Sequence, residues 1–327
     1  MVNRRIIIFG LIAVLVLAGI NIGSKLISKD VAEDEIEIIS SDEINVDVVE
    51  EDGMRKTVFY FRNSDGYLVP VMRRIPWEEG IARITLKNMI DSQELRETLN
   101  PTGLLPLIPQ GTEINGMAID QDTGLCKVDF SEEFLNNETI KDEENLIKGV
   151  VYTLTEFPAI KEVQIMVDGN VLPVLKHGTS VDKPLARENI NLVGSSDEGR
   201  SKVVVYYKGN SDSEFEYFVP VTVPTLAPTP NVYTALDMLF EGPPEGSNLV
   251  SDIPAGVMLQ GVEIQQGTAF VDVSLGAESF LTQEAVLDDI IKNVGLTLSE
   301  FEDIQSVELL VDGQIINSTI PTFANEY

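Results

Sequence analysis

Cysteine and histidine are almost absent from this 327-residue chain, which contains one of each. A single cysteine cannot form an intrachain disulfide, so ordinary hydrophobic cores must stabilise the fold. Cys126 alternates with Val128 and Phe130 on one predicted strand face, and we expect it to be a small core residue. The histidine, His177, lies in the predicted loop LKHGTS. The sequence therefore predicts no Ser-His-Asp triad, no Cys-His pair and no histidine-based metal site.

Basic residues are also scarce. The chain has 23 lysines and arginines against 53 aspartates and glutamates, which gives a formal net charge of −30. A charge of this sign and size repels both nucleic acid and anionic lipid. We therefore expect no nucleic-acid partner and no peripheral binding to a membrane surface.

One long uncharged run, from Ile6 to Ile22, follows Arg4 and Arg5. As a helix it would be about 25 Å long, near the short end of what spans a bilayer. Positive residues before an apolar run favour a cytoplasmic N-terminus. The sequence thus predicts a single-pass anchor at 6–23 and an extracytoplasmic body. A cleaved signal peptide is the alternative, although the small-residue pattern of a cleavage site is missing.

The chain contains two copies of one unit. Three motif pairs recur in the same order: YLVPV (67–71) with YFVPV (217–221), LIPQGTEINGMAI (107–119) with DIPAGVMLQGVEI (252–264), and TLTEFPAIKEVQIMVDG (153–169) with TLSEFEDIQSVELLVDG (297–313). Their offsets are 150, 145 and 144 residues. A nearly constant offset indicates a duplication with small insertions in loops, and the unit of roughly 115 to 125 residues has the size of one domain.

Two segments are predicted to be linkers. Residues 24–56 carry many like charges and no aromatic side chain, which is typical of an extended, solvated segment. Residues 180–200 contain Pro, Gly and Ser, which interrupt any hydrophobic period. The predicted order is therefore the anchor at 6–23, an acidic linker, a first domain at 57–179, a second linker, and a second domain at 201–317.

Each copy is predicted to contain two strands, a helix, a hairpin, a long helix and a last strand. The helices are inferred from apolar stripes: Ile81, Ile84, Leu86, Met89 and Ile90 with Val232, Leu236, Leu239 and Phe240 for the first helix, and Ile147, Val150, Val151, Leu154 and Phe157 with Ile291, Val294, Leu298 and Phe301 for the long one. Pro158 is predicted to end the long helix of the first copy. This order predicts an α+β fold, with two helices packed on one face of a small mixed sheet in each repeat.

Several residues are predicted to be structural because they recur. Proline lacks the N–H that a central strand donates, so Pro70 and Pro220 are predicted to mark sheet edges. The recurring turn residues are Gly111, Gly256, Asp168, Gly169, Asp312 and Gly313. An Asp-Gly pair is a strong turn signal, and we expect a positive φ at the glycine of each pair.

The repeated motifs resemble the GerM family of sporulation and spore germination proteins. The similarity rests on YLVPV, IPQGTEINGMAI, CKVDFS and VVYTLTEFPAIKEVQIMVDG in the first copy, and on LFEGPPEG and SDIPAG in the second. It implies an envelope protein of endospore-forming or related bacteria, whose tandem domains are similar to ring-building motifs. The implied setting is the channel apparatus between mother cell and forespore, with ring-forming channel components as partners. Peptidoglycan is left open as a further partner.

Two features depart from that family. The tetrad Leu17-Ala18-Gly19-Ile20 looks like a lipobox without its cysteine, so we expect no lipid attachment. The motif RRIP at 73–76 has no counterpart in the second copy. An exposed basic pair in so acidic a chain is a candidate docking site for an acidic partner. The candidate partner-binding residues are therefore Arg73, Arg74 and the nearby Trp77, which is predicted to lie in a polar loop.

Three pairs of carboxylates recur: Asp129 with Asp272, Glu156 with Glu300, and Asp168 with Asp312. Paired carboxylates can perform acid and base chemistry on glycan. Here each has a local explanation, since the first pair is predicted to end strands, the second to lie on the long helix and the third to precede glycine in turns. The sequence thus favours a non-catalytic scaffold without cofactor or metal. A cell-wall-remodelling enzyme or a peptidoglycan-binding factor remains the alternative.

Overall fold

The computed structural model describes residues 53–194, 199–209, 215–276, 284–319 and 324–326. The predicted anchor at 6–23 and nearly all of the predicted linker at 24–56 lie outside these residues. Within the described ranges, no helix combines the length and the apolar character that crossing a membrane requires. The described residues belong to one compact unit.

The first copy follows the predicted order with one additional helix. Its elements are β1 (Met54–Arg62), β2 (Leu68–Pro76), α1 (Ile81–Lys87), α2 (Gln93–Leu99), β3 (Ile114–Asp120), β4 (Leu125–Phe130), α3 (Ile140–Leu154) and β5 (Glu162–Val167). Short 3₁₀ turns cover Asn100–Thr102 and Glu132–Leu135. Both α2 and α3 begin at a capping side chain: Ser92 Oγ accepts from Leu95 N at 3.1 Å, and Thr139 Oγ1 accepts from Asp142 N at 3.1 Å.

The second copy repeats this order without a counterpart of α2 among its described residues, and it adds three strands. Its elements are β6 (Ser201–Gly209), β7 (Phe218–Thr225), α4 (Val232–Glu241), β8 (Leu249–Val250), β9 (Met258–Gln265), β10 (Thr268–Ser274), α5 (Glu284–Leu298), β11 (Ser306–Val311), β12 (Gln314–Thr319) and β13 (Asn325–Glu326). Strands β9 and β10 were predicted as the hairpin and β11 as the last strand, whereas β8, β12 and β13 were not predicted.

The strands of each copy divide between two sheets. In the first copy β1 pairs with β2, while β3, β4 and β5 form a separate mixed sheet, antiparallel at β3–β4 and parallel at β4–β5. The second copy has the order β7-β6-β8 and the order β12-β11-β10-β9. The predictions of an α+β fold, of two repeats and of mixed sheets are confirmed. The prediction of one sheet in each copy is wrong, because β1 and β2 pair with none of β3, β4 and β5, and the long helix α3 contacts strands of both sheets.

Several helix ends differ from the predicted ones. Helix α1 ends at Lys87 rather than continuing to Ile90, because Ile90 forms a bridge with Ile108. Helix α3 ends at Leu154, before Pro158, so proline does not terminate it directly. Helix α2 was not predicted.

The core contains the strand residues that were predicted to be buried. Cys126, Val128 and Phe130 are fully buried, as is Ala269, which occupies the position of Cys126 in the second copy. Burial in apolar surroundings raises the pKa of the Cys126 thiol to about 12, so this cysteine is a packing residue rather than a nucleophile.

The segment predicted as the second linker makes specific contacts along residues 180–194. Val181 is buried, and Leu185 forms an antiparallel bridge with Val163 of β5. Loop 176–179, just before it, is held by Glu143, whose carboxylate accepts from His177 N at 2.9 Å and from Thr179 N at 3.0 Å. This part of the chain is therefore packed onto the first copy.

Candidate functional site: the interface between the two copies

The two proline-bearing strands, β2 and β7, contact each other across the boundary between the copies. The sequence predicted that Pro70 and Pro220 mark sheet edges. Strand β7 is the terminal strand of its sheet, whereas β2 lies between β1 and β13. The tail of the second copy, β13, pairs in parallel with β2 and places Asn325 opposite Val71. The prediction of a sheet edge at Pro70 is therefore wrong, because β13 extends the sheet beside β2.

The edge of β7 is covered in the same way by the tail of the first copy. Thr222 of β7 donates its N–H to Ile190 O at 3.0 Å, and Val193 N donates to Thr222 O at 3.1 Å. In each copy, a few residues of the C-terminal tail therefore pair with the proline-bearing strand of the other copy. The exchange is reciprocal, because each tail bonds to the proline-bearing strand of the other copy.

Two buried asparagines connect β2 to β7. Asn191 Oδ1 accepts from Leu68 N at 2.8 Å, and its Nδ2 donates to Leu68 O and to Pro220 O, both at 2.8 Å. Asn325 makes the mirror set: its Oδ1 accepts from Phe218 N at 2.7 Å, and its Nδ2 donates to Phe218 O at 2.9 Å and to Pro70 O at 2.8 Å. Each amide therefore bonds to both copies at once. We call these two residues the asparagine bridges.

A buried polar cluster lies beside these bridges. Tyr60 Oη donates to Glu156 Oε1 at 3.0 Å, and Tyr206 Oη donates to Glu300 Oε1 at 3.0 Å. Arg187, from the predicted linker, forms an ion pair with Glu156 at the solvent side of this cluster, where the Arg187 side chain is 38% exposed. Glu156 and Glu300 lie in the turn directly after α3 and α5, so their predicted place on the long helix is wrong.

The electrostatics of the cluster link the two copies. Burial raises the pKa of Glu300, against the opposing effects of its bond from Tyr206 and of the Arg187 charge. Burial likewise raises the pKa of Glu156, although Arg187 and Tyr60 stabilise its charged form. The charge of Glu300 also contributes to the raised pKa of Tyr60, after burial and the nearer Glu156. The cluster therefore acts as one polar unit inside the interface.

The remaining recurrent carboxylates hold turns. Asp129 Oδ1 accepts from Gly169 N at 2.8 Å, and Asp272 Oδ1 accepts from Gly313 N at 3.2 Å. Both strand carboxylates thus fix the Asp-Gly turn that follows the last predicted strand of their copy. The predicted positive φ is confirmed at 75° for Gly169 and 78° for Gly313.

The other predicted turn residues also adopt left-handed backbone. Asp168 and Asp312 have φ of 45° and 50°. Gly111 and Gly256, in the loops before β3 and β9, have φ of 84° and 95°. These conformations give a backbone reason for the glycines, because a side chain is strained in this region.

The candidate partner-binding residues lie at the far end of β2 and just beyond it. Arg73 and Arg74 belong to β2 itself, and the guanidinium of Arg73 lies 5.7 Å from the centre of the Phe59 ring. Trp77 follows the strand and is 42% exposed. The three residues share one end of the first hairpin, separate from the buried cluster.

Sequence reasoning missed the residues that join the copies, namely Asn191, Asn325 and Arg187. The asparagines lie in the tails, where the offset between them is 134 residues rather than 144, so the motif comparison did not align them. A comparison of the tails alone, INLV (190–193) with ANEY (324–327), would have paired them.

Comparison with known proteins agrees with this architecture. Residues 58–173 and 204–317 each match the Germane family, described as sporulation and spore germination. The chain therefore belongs to that family.

Two comparisons cover most of the chain. The spore germination protein GerM of Bacillus subtilis (strain 168) is 28% identical over 297 residues, which cover 88% of this chain and 79% of that protein. The solved tandem GerMN domains of the sporulation protein GerM from Bacillus subtilis superpose with a TM-score of 0.69 and 26% identity, over 84% of this chain and 99% of that structure. The likeness therefore includes both copies.

Proposed function

We propose that this chain acts in sporulation or spore germination as a membrane-anchored, extracytoplasmic assembly protein without catalytic activity. The broad role is supported by membership of the Germane family and by the similarity to the spore germination protein GerM of Bacillus subtilis. The finer role is that of a scaffold, in which the tandem domains bind ring-forming envelope partners in the channel between mother cell and forespore.

The reciprocal joint between the copies carries this proposal. A scaffold has to present its docking surfaces in a fixed mutual orientation, and two domains joined only by a flexible linker do not do so. Here the tails are exchanged, and both asparagine bridges span the copies with buried hydrogen bonds. Buried and fully bonded amide groups specify a single arrangement.

The recurrent carboxylates support a non-catalytic role because the fold uses them. Asp129 and Asp272 accept from turn glycines, and Glu156 and Glu300 accept from buried tyrosines. A general acid or base must reach the proton of a substrate, whereas these groups already bond to the protein.

The proposal is tested with carboxylate variants in the strain that encodes the chain. Glu156→Gln with Glu300→Gln, and separately Asp129→Asn with Asp272→Asn, should leave sporulation and germination frequencies unchanged when protein levels match the native chain. Lost function in a folded, stable double variant would favour the enzyme.

Incubation of the purified full chain with peptidoglycan separates the remaining alternatives. Release of soluble fragments would identify a cell-wall enzyme, and co-sedimentation without release would identify a peptidoglycan-binding factor. The scaffold reading expects neither.

A further inference from the structure

The four-stranded sheet of the second copy has an outward face with an unusual composition. Its inward face packs on the core through Ala269, Val271 and Val273, which are fully buried. Because side chains alternate along a strand, the residues between these three point outward. One outward row runs across three strands: Glu263 of β9 and Glu308 of β11 both lie opposite Phe270 of β10.

The next outward row is largely apolar. Asp272 lies opposite Leu310, and Leu310 lies opposite Ile315 of β12, whose side chain is 58% exposed. The face therefore combines an aromatic ring between two carboxylates with two adjacent aliphatic side chains, those of Leu310 and Ile315. We call it the acidic sheet face, formed by Glu263, Phe270, Glu308, Leu310 and Ile315.

This face carries no compensating positive charge from its own strands. The sequences of β9, β10, β11 and β12 contain no lysine or arginine. In the first copy, the motif alignment places Lys127 at the position of Phe270, Gln164 at that of Glu308 and Ala118 at that of Glu263. The acidic and aromatic character is thus specific to the second copy.

We propose that the acidic sheet face binds an arginine-bearing segment of a basic protein partner. Neighbouring strands are about 4.8 Å apart, so a guanidinium placed over the Phe270 ring lies within reach of a carboxylate on either side. A planar guanidinium both stacks on aromatic rings and bonds carboxylates, whereas the ammonium group of lysine is a compact, strongly hydrated charge. An aliphatic residue next to the arginine would cover Leu310 and Ile315.

Glu308 supports this assignment independently. Its Oε2 atom is shielded from water and accepts no hydrogen bond. A shielded carboxylate oxygen without a donor is costly, and an incoming guanidinium N–H would satisfy it after a small side-chain rotation.

Other occupants fit the observations less well. A second copy of this chain brings a net charge of −30 to an acidic surface, which opposes self-association. Among the described residues, no cluster of three carboxylate, histidine or cysteine side chains could hold a metal ion. A basic protein partner remains favoured by charge.

The test measures fluorescence anisotropy of a labelled peptide of alternating arginine and valine added to the full chain. Matched peptides contain lysine or the neutral isostere citrulline in place of arginine. The arginine peptide should bind more tightly than the lysine peptide, and the citrulline peptide should bind at least about tenfold more weakly than either.

Variants locate the binding surface. Glu263→Gln with Glu308→Gln, and separately Phe270→Lys, which copies the first domain, should each weaken arginine-peptide binding about tenfold. Glu113→Gln with Glu162→Gln removes the same charge from two exposed positions, one just before β3 and one at the start of β5, and should change binding less than about twofold. Thermal melting checks that every variant is folded.

Two outcomes would overturn the proposal. One is equal loss of binding in the Glu113 and Glu162 variant, which would indicate attraction by net charge alone. The other is sedimentation of the full chain as a dimer that dissociates in the Glu263 and Glu308 variant, which would assign the face to a second copy. This inference rests on the proposed assembly role only for its biological setting. If the arginine peptide fails to bind while the carboxylate variants sporulate normally, the proposed binding role of the acidic sheet face is rejected and the proposed function is not.

Discussion

Removal of one asparagine bridge tests the interface directly. Asn191→Gly deletes the acceptor of Leu68 N and the donor to Leu68 O and Pro220 O. Asn191 has a φ of 46°, and glycine tolerates this left-handed backbone, so the substitution removes the amide without adding strain. The variant therefore isolates the contribution of the side chain.

The expected cost follows from what remains buried. A buried polar group that loses its partner costs about 1 to 3 kcal/mol, and three backbone groups lose one here. Partial rehydration of the two carbonyls limits the total to about 2 to 4 kcal/mol of the free energy of unfolding. Asn191→Ala should cost roughly 1 kcal/mol more, because alanine is strained at this φ.

The assay is urea unfolding of the full chain, followed by the fluorescence of Trp77, the single tryptophan. Asn189→Gly is the control, because it makes the same change two positions earlier, at a residue whose hydrogen bond from Lys148 uses the backbone carbonyl. A free energy of unfolding for Asn191→Gly within about 0.5 kcal/mol of the control would refute the reasoning.

Three further perturbations have expected results. Gly169→Val and Gly313→Val should each cost about 1 to 3 kcal/mol in thermal or chemical unfolding, because both positions need a positive φ. Glu143→Gln should destabilise the chain most at neutral pH. Burial opposes ionisation of Glu143, but bonds from two backbone N–H groups outweigh it and hold its pKa below the usual value. Its contribution is therefore complete above about pH 5 and disappears as the pH falls below about 4. Arg73→Glu with Arg74→Glu should weaken crosslinking to envelope partners in a chain that stays folded, with the melting temperature lowered only by the lost contact between Arg73 and the Phe59 ring.

Each of these has a control or a contradictory outcome. Unchanged melting of both glycine variants would show that the turns tolerate a side chain. A Glu143→Gln difference that is constant between pH 3 and pH 7 would show that the carboxylate charge is not involved. For the arginine pair, reversal of the exposed Lys87 and Lys183 applies the same change of charge elsewhere and should leave crosslinking intact.

Local features of this fold could be predicted from the sequence, and contacts distant along the chain could not. The Asp-Gly turns were predictable because two adjacent residues determine a tight turn. The core positions Cys126 and Val128 were predictable because alternation reports which strand face is buried. The division of the strands between two sheets was not, because periodicity says nothing about which strands become neighbours.

The residues of the interface show the same limit. Asn191 bonds to Leu68, which lies 123 positions earlier, and Asn325 bonds to Phe218, which lies 107 positions earlier. Pairings across such separations leave no periodic trace in either segment. Glu156 and Glu300 were recognised as recurrent, but their tyrosine partners were not, because Tyr60 and Tyr206 read equally well as ordinary aromatic strand residues.

The contact between β2 and β7 explains why a proline recurs in both strands. Two strands that face each other could form a direct hydrogen-bonded ladder, but Pro70 and Pro220 each remove an N–H from the facing rows. Their carbonyl groups still require donors, and the amide groups of Asn325 and Asn191 supply them at 2.8 Å each. Only a chain that carries both tails can complete this arrangement, because each amide bonds to β2 and β7 at the same time. The prolines thus prevent the equivalent strands from pairing indiscriminately, and the asparagines restore the joint only between the two copies of one chain.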